Sequence, residues 1–259
     1  MKSPSIPLIL LAGGLGTRLR ESTEFKPKPM IEIGNKPILW HIMKTYSLYD
    51  INNFIICAGY KSDYIKQYFL NYKELNYDFS INTMSRNTSF FANDIENWNV
   101  TVADTGDVTN TGGRIYKVRD YISSDTFLCT YGDGIADINI KALIDFHKSH
   151  KKIATVTAVK QPSRFGVLEL SENQSVKTFK EKPLLEGWVN AGFFVFEKKF
   201  LDYLQADSVL ENEPLNKLTE ENQLMAYCHH GFWQSMDTYR EQLLLNDLIQ
   251  NGKAPWIKW

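Results

Sequence analysis

The chain has 259 residues, 29 of them basic and 30 acidic, so its formal net charge is −1. A chain with so balanced a charge lacks a general basic field, which excludes nucleic acid and anionic membrane surfaces as default partners. A hydrophobic fraction of 43% and a charged fraction of 23% are typical of a globular protein with a large core. Any phosphate chemistry must therefore come from a local cluster of charge.

The cysteines and the amino-terminal region indicate the compartment. Cys57, Cys129 and Cys228 are widely spaced and each falls in an apolar run, so we expect small buried hydrophobic residues in a reducing compartment. The apolar stretch 6–12 is too short to span a bilayer and has no signal-peptide pattern. We therefore expect a cytoplasmic protein with no membrane partner.

Over the first 160 residues, short β-rich runs alternate with amphipathic helical runs. Strands are predicted at residues 8–11, 54–58, 100–103, 127–131 and 154–159. Helical spacing recurs over residues 38–46 and 65–72, with Ser62 expected to cap the second helix, and further helices are predicted at about 113–122 and around 143–147. This alternation predicts a mainly parallel sheet, covered on both faces, with ligands beyond the carboxyl ends of its strands.

The second half of the chain has strands with fewer helices between them. These strands are predicted at residues 166–170, 176–179, 192–197 and 224–228, and a last helix at about 239–250 ends before Gly252 and Pro255. Because the sequence has no linker and no internal repeat, we expect one α/β unit over residues 1–259. Its parts are a first region at about 6–160, a β-rich lobe at 161–238, and a helix and tail at 239–259.

A glycine-rich loop follows the first predicted strand and ends in Arg18. Its glycines let backbone N–H groups approach a phosphate or a base closely. The dinucleotide pattern G-x-G-x-x-G fails because its third glycine would fall on Leu19, and the Walker A pattern fails because no Gly-Lys-Ser/Thr follows. With both patterns excluded, the loop is interpreted as a phosphate-binding loop in which Arg18 could bind phosphate oxygens. The alternative interpretation is a structural turn followed by a surface arginine.

A second segment, Lys26-Pro27-Lys28-Pro29, combines lysines with prolines. The prolines stiffen it, so its lysines are held in place. A fixed lysine beside a glycine loop suits a triphosphate whose charge moves toward the leaving group. For Lys26, a solvated surface side chain is an equally good interpretation.

Two aspartates lie at positions suited to a metal. Asp133 follows a predicted strand and is flanked by glycines, so its carboxylate is well placed to hold a hard cation. Asp237 precedes the last predicted helix. Taken singly, each residue is also typical of a turn or a helix cap, and that alternative stays open from the residues alone.

Several segments together resemble one enzyme family. The glycine loop and the lysine–proline segment resemble the signature of the sugar-1-phosphate nucleotidylyltransferases. Longer stretches resemble the glucose-1-phosphate cytidylyltransferases in particular: residues 34–44, 98–101, 104–106, 130–134, 231–238 and 252–256. The resemblance implies a single Rossmann-like α/β domain of the nucleotide-diphospho-sugar transferase type, with a mainly parallel central sheet and a smaller β-rich sugar-binding lobe.

The resemblance also implies roles for individual residues. Arg18 and Lys28 would be the catalytic side chains, and Asp133 and Asp237 would share a Mg²⁺ ion that bridges the phosphates of the two substrates. The residues implied to bind the nucleotide are Leu11, Ala12, Gly13, Gly14, Leu15, Gly16, Thr17, Arg18, Lys28, Thr105, Thr111 and Gly112. Those implied to bind the sugar phosphate are Gly166, Glu181, Lys182 and Asn190.

The implied activity is transfer of a cytidylyl group from CTP to α-D-glucose 1-phosphate, which gives CDP-glucose and pyrophosphate. The same reaction with UTP or dTTP, or a non-catalytic nucleotide-sugar binding subunit, remains an alternative. The product would feed synthesis of a surface polysaccharide such as the O-antigen of lipopolysaccharide, and we expect a homo-oligomer. Residues 71–97 match the branch poorly, and their role stays open.

Overall fold

The computed structural model describes residues 6–14, 16, 25–91, 94–163, 165–184 and 186–259. Its strands are β1 (Leu8–Ala12), β2 (Glu32–Ile33), β3 (Lys36–Pro37), β4 (Asn53–Ala58), β5 (Phe79–Ile81), β6 (Thr88–Phe90), β7 (Asn99–Asp104), β8 (Thr126–Tyr131), β9 (Gly134–Ala136), β10 (Ala154–Val159), β11 (Val167–Leu170), β12 (Val176–Lys180), β13 (Val189–Glu197), β14 (Leu224–His229) and β15 (Trp233–Ser235).

The α-helices are α1 (Ile38–Ser47), α2 (Ser62–Leu70), α3 (Tyr72–Asn76), α4 (Thr111–Lys117), α5 (Ile140–His150), α6 (Glu213–Glu220) and α7 (Tyr239–Gln250). Short 3₁₀ turns occupy Lys28–Met30, Arg119–Tyr121 and Lys198–Tyr203. Within the described residues, no helix is both long enough and apolar enough to cross a bilayer.

A seven-stranded sheet in the order β14-β10-β13-β8-β1-β4-β7 forms the centre of the described chain. Neighbouring strands run parallel except where β13 lies antiparallel to β8 and β10. One apolar cluster covers each face, because helical crossovers between parallel strands place helices on both sides. The predicted α/β class with a mainly parallel sheet is confirmed.

The later strands are placed differently from the sequence prediction. We expected the strands of region 161–238 to form a lobe, but β13 lies inside the central sheet and β14 pairs with β10 along its length. The reason is apolarity, since Phe193, Phe194 and Phe196 of β13 are all buried. The antiparallel hairpin β11–β12 is the part that stands apart from the sheet, with every residue of both strands exposed.

Two local predictions are wrong. Ser62 is not the cap of α2, because Lys61 precedes the helix in the left-handed conformation and the Ser62 hydroxyl donates to Asp104 Oδ2 at 2.9 Å. Cys228 is exposed because it lies on the edge strand β14. Cys57 and Cys129, on inner strands of the sheet, are buried as expected.

His41 ties α1 to the carboxyl-terminal tail. Its Nε2 lies 2.9 Å from the carbonyl oxygen of Ile33, and its Nδ1 accepts from the indole N–H of Trp256 at 3.3 Å. An Nδ1 that accepts carries no proton, so the ring is neutral and Nε2 donates to Ile33. Burial lowers the pKa of His41 to about 4.

We expect acid to destabilise the fold through this ring. The folded-state pKa of His41 lies below that of an unfolded histidine, about 6.5, so the unfolded chain takes up the proton first as the pH falls. The stabilisation is complete above pH 6.5 and declines toward pH 4, with a total loss of about 3 kcal/mol in the free energy of unfolding. Urea unfolding of wild type and His41→Gln from pH 7 to pH 4 measures it. Parallel pH profiles of the two proteins would show that His41 is not linked to acid stability.

Candidate active site

A cavity of about 740 Å³ opens at the carboxyl ends of β1 and β8. Open parallel sheets bind their ligands at this edge. Seven residues of the predicted nucleotide set line the cavity: Leu11, Ala12, Gly13, Gly14, Gly16, Lys28 and Thr111. Leu15, Thr17 and Arg18, also predicted there, lie outside the described residues. The glycine loop and the lysine–proline segment therefore face the same space.

Lys28 and the two predicted metal ligands form one cluster at this cavity. Lys28 Nζ lies 2.6 Å from Asp133 Oδ2 and 2.7 Å from Asp237 Oδ1. The aspartates come together because β9 pairs antiparallel with β15, and Asp133 directly precedes β9 while Asp237 follows just after β15. The lysine side chain is only 12% exposed, so the ammonium group is enclosed between the two carboxylates. We name these three residues the charge centre.

The carboxylates keep Lys28 charged. Burial alone would lower its pKa, but the charges and hydrogen bonds of Asp133 and Asp237 outweigh burial, so the pKa of Lys28 lies above its ordinary value. Pro27 and Pro29 flank the lysine and restrict its backbone. Lys28 therefore contributes a fixed ammonium group to the charge centre at neutral pH, held between two carboxylates.

The charge centre also suits a magnesium ion. Mg²⁺ prefers oxygen ligands and in phosphoryl-transfer sites is held by one or two carboxylates together with substrate phosphates and water. Asp133 and Asp237 supply two carboxylates. Across the part of the chain that the structure describes, no group of three or more His, Cys, Asp or Glu residues could hold a metal. A magnesium ion at this centre would therefore take its other ligands from substrate and water.

Arg114, which was not predicted as a site residue, fixes the glycine loop by hydrogen bonds. Its guanidinium donates to the carbonyl oxygens of Gly13 at 2.9 Å and Gly106 at 2.8 Å, and to the Thr105 hydroxyl at 2.6 Å. A Cβ at Gly13 would lie 2.0 Å from Arg114 Nη1, so only glycine lets the loop pass this close. Arg114 lies in α4, and nothing in its local sequence distinguishes it from a surface arginine.

Two residues of the predicted nucleotide set lie behind the cavity wall. The Thr105 hydroxyl donates to the carbonyl oxygen of Ala58 at 2.6 Å and is buried. Gly112 packs against Ser208, where an added Cβ would come within 2.8 Å of the serine Cβ. Both residues shape the wall, and neither lines the cavity.

The predicted sugar-phosphate residues are not among those that line the cavity. Gly166 and Glu181 are neighbours at the base of the β11–β12 hairpin, since a Cβ on Gly166 would be 3.0 Å from Glu181 Oε2. Lys182 follows on the exposed surface. Asn190, at the start of β13, donates from Nδ2 to the hydroxyl of Tyr131 at 3.2 Å. Of these four described residues, Asn190 alone bonds to a side chain that lines the cavity.

Tyr131 and Glu211 also line the cavity and were not predicted. The Tyr131 hydroxyl donates to Glu211 Oε1 at 2.5 Å, and Glu211 Oε2 accepts from the Thr111 hydroxyl at 2.7 Å. Burial, followed by the charge of Glu211, raises the pKa of Tyr131, so the phenol is neutral. Tyr131 stands within the matched stretch 130–134, which was a signal that it lies near the site. Glu211 had no such signal.

The central sheet, the glycine loop after its first strand and the charge centre at its carboxyl edge define a nucleotide-binding α/β enzyme fold. Residues 7–238 match the model of the family described as nucleotidyl transferase. Glucose-1-phosphate cytidylyltransferase of Salmonella typhi is 50% identical over 254 residues, which are 97% of this chain and 98% of the relative. The chain thus belongs to the nucleotidyl transferase family, in its glucose-1-phosphate cytidylyltransferase branch, and is an enzyme of the nucleotidyltransferase class.

Two more distant proteins are also similar to this chain. Mannose-1-phosphate guanylyltransferase catalytic subunit beta of Drosophila melanogaster is 29% identical over 88% of this chain and 58% of the relative. The crystal structure of HddC from Yersinia pseudotuberculosis superposes with a TM-score of 0.66 at 22% identity, over 94% of this chain and 99% of that chain. The HddC comparison supports the shared fold alone.

Proposed function

We propose that the enzyme transfers the cytidylyl group of CTP to α-D-glucose 1-phosphate and releases pyrophosphate, so that CDP-glucose is the product. Nucleotidyl transfer to a sugar 1-phosphate is the activity of the branch to which the chain belongs. The observation that carries the proposal is the charge centre, in which Lys28 contacts Asp133 and Asp237 at the floor of a cavity lined by the glycine loop. The choice of CTP and glucose rests on the 50% identity to the Salmonella typhi enzyme.

The proposed reaction is a single in-line displacement. An oxygen of the sugar phosphate forms a bond to the α-phosphorus of CTP, the bond from that phosphorus to the bridging oxygen breaks, and pyrophosphate leaves. A phosphate is already ionised and nucleophilic at neutral pH, so the step needs no general base. The protein then contributes positioning and neutralisation of charge.

The residues at the cavity are suited to position the substrates and to neutralise their charge. Lys28 presents a fixed ammonium at the cavity floor, and the glycine loop offers backbone N–H groups along its wall. Arg18, predicted at the end of that loop, would add a planar donor for phosphate oxygens. Magnesium held by Asp133 and Asp237 would neutralise phosphate charge when bound.

A matrix of nucleoside triphosphates against sugar 1-phosphates, scored by pyrophosphate release with Mg²⁺, tests the proposal. We expect the highest kcat/KM for CTP with α-D-glucose 1-phosphate. A preference for UTP or dTTP would overturn the choice of base and leave the class of reaction intact. If no pair released pyrophosphate, the alternative of a non-catalytic nucleotide-sugar binding subunit would replace the proposal.

A further inference from the structure

Glu211 connects the two walls of the cavity. On one side its Oε2 accepts from the hydroxyl of Thr111, at the first turn of α4. On the other side its Oε1 accepts from Tyr131, which in turn accepts from Asn190. We propose that Glu211 is a positioning residue for the acceptor sugar phosphate, acting through Tyr131 and Asn190. This inference rests on the proposed transfer to a sugar 1-phosphate.

Packing fixes the ring of Tyr131 before any hydrogen bond is considered. Gly192 packs closely against the ring, where an added Cβ would be 2.2 Å from Tyr131 Cδ2. Gly192 has a φ of 80°, which also favours glycine. Phe194 packs edge-on at 5.8 Å between ring centroids. The remaining freedom of Tyr131 is rotation of its hydroxyl proton, and the Glu211 carboxylate determines that rotation.

The direction in which the Tyr131 hydroxyl donates determines which N–H group of Asn190 is available to a ligand. Because Tyr131 donates to Glu211, its oxygen accepts on the other side and receives Nδ2 of Asn190. Asn190 Oδ1 is occupied by the backbone N–H of Gly192 at 2.8 Å, so the amide cannot turn over. An amide nitrogen has two N–H groups, so the second N–H of Asn190 stays oriented for an acceptor. Hydroxyl groups of a hexose can fill that position.

The position of Thr111, on the nucleotide side of the cavity, depends less on Glu211 than the Tyr131 hydroxyl does. The Thr111 hydroxyl also accepts from the backbone N–H of Leu210 at 2.9 Å. The segment before α6 is attached to α4 by a further bond, from the backbone N–H of Gly113 to the carbonyl oxygen of Ser208 at 2.9 Å. Thr111 therefore keeps its position without the carboxylate, whereas Tyr131 loses the acceptor that orients its proton. Loss of Glu211 should affect the acceptor substrate selectively.

Glu211→Ala should raise KM for α-D-glucose 1-phosphate about tenfold, the size that corresponds to one hydrogen bond to a charged group. KM for CTP should stay within about twofold of wild type. Glu213→Ala is the matched control, because Glu213 is exposed two residues away and does not line the cavity. In a Tyr131→Phe background the Glu211→Ala change should have less than about a twofold further effect, since it acts through the tyrosine hydroxyl.

A rise in KM for CTP equal to that for the sugar phosphate would overturn the inference, because Glu211 would then contact the nucleotide itself. Additive effects in the Tyr131→Phe background would overturn it as well. Glu211→Leu keeps much of the size of the side chain but has no acceptor, and it serves if the alanine variant does not fold. An unchanged KM for the sugar phosphate in folded Glu211→Leu contradicts the inference. The wild-type reaction is measured first. Inactivity of wild type refutes the proposed function, whereas an unaffected Glu211 variant of an active enzyme refutes the positioning role alone.

Discussion

Replacing Lys28 by alanine should lower kcat about 10²–10³-fold and change KM for CTP much less. The reason is that negative charge moves toward pyrophosphate in the transition state, so a preorganised ammonium contributes most at that point. Lys28 is enclosed between Asp133 and Asp237 and stays charged, which fits such a role. Steady-state kinetics with CTP varied at saturating glucose 1-phosphate separates the two parameters.

Lys26→Ala provides the matched control two residues away. Lys26 Nζ pairs with Glu32 Oε1 at 2.6 Å, its side chain is 36% exposed, and it does not line the cavity. Its loss should cost clearly less, because exposed ion pairs contribute little. If the two lysine variants had the same kcat, or if Lys28→Ala raised only KM, Lys28 would merely anchor the ground-state triphosphate.

Asp133→Asn and Asp237→Asn should each lower kcat/KM at least about 100-fold, because a bound metal contributes several kcal/mol of charge stabilisation at a transferring phosphate. Removal of divalent metal with EDTA should abolish turnover in wild type. Asn is nearly the same size as Asp, so the fold should persist, which circular dichroism and thermal melting check.

Asp137→Asn is the control for the aspartates. Asp137 lies four residues after Asp133 but contacts His229 at 2.9 Å, away from Lys28. Its substitution should leave kcat/KM within a few-fold of wild type, because Asp137 pairs with His229 rather than with Lys28 and does not line the cavity. A folded Asp133→Asn protein with near-normal turnover would remove this aspartate from the metal site.

The fold was largely predictable because its signals are local. Buried runs such as 8–11 and 154–159 identify themselves as strands by composition and length, and the glycines after β1 mark the loop that faces the cavity. The insertion of β13 between β8 and β10 was not predictable in this way. Strand order depends on pairing between residues far apart in sequence, and no local pattern encodes it.

The site residues also fall into those that the sequence predicted and those that only the fold revealed. Lys28, Asp133 and Asp237 were identified through the family resemblance, but their contact through one ammonium group emerged only from the fold. Arg114 and Glu211 were missed because their sequence context is ordinary. Their roles follow from their hydrogen bonds: Arg114 donates to the Gly13 carbonyl oxygen of the glycine loop, and Glu211 accepts from the Tyr131 hydroxyl.

Calorimetric titration of CTP with and without Mg²⁺ most directly tests whether Asp133 and Asp237 hold a metal beside the nucleotide. In wild type we expect Mg²⁺ to tighten CTP binding at least about tenfold, because two ligands that share one site are coupled reciprocally. In Asp133→Asn and in Asp237→Asn the tightening should disappear, while CTP binding without metal remains. A folded variant of either aspartate that kept the full effect of Mg²⁺ would contradict the charge centre as the place where metal and nucleotide meet.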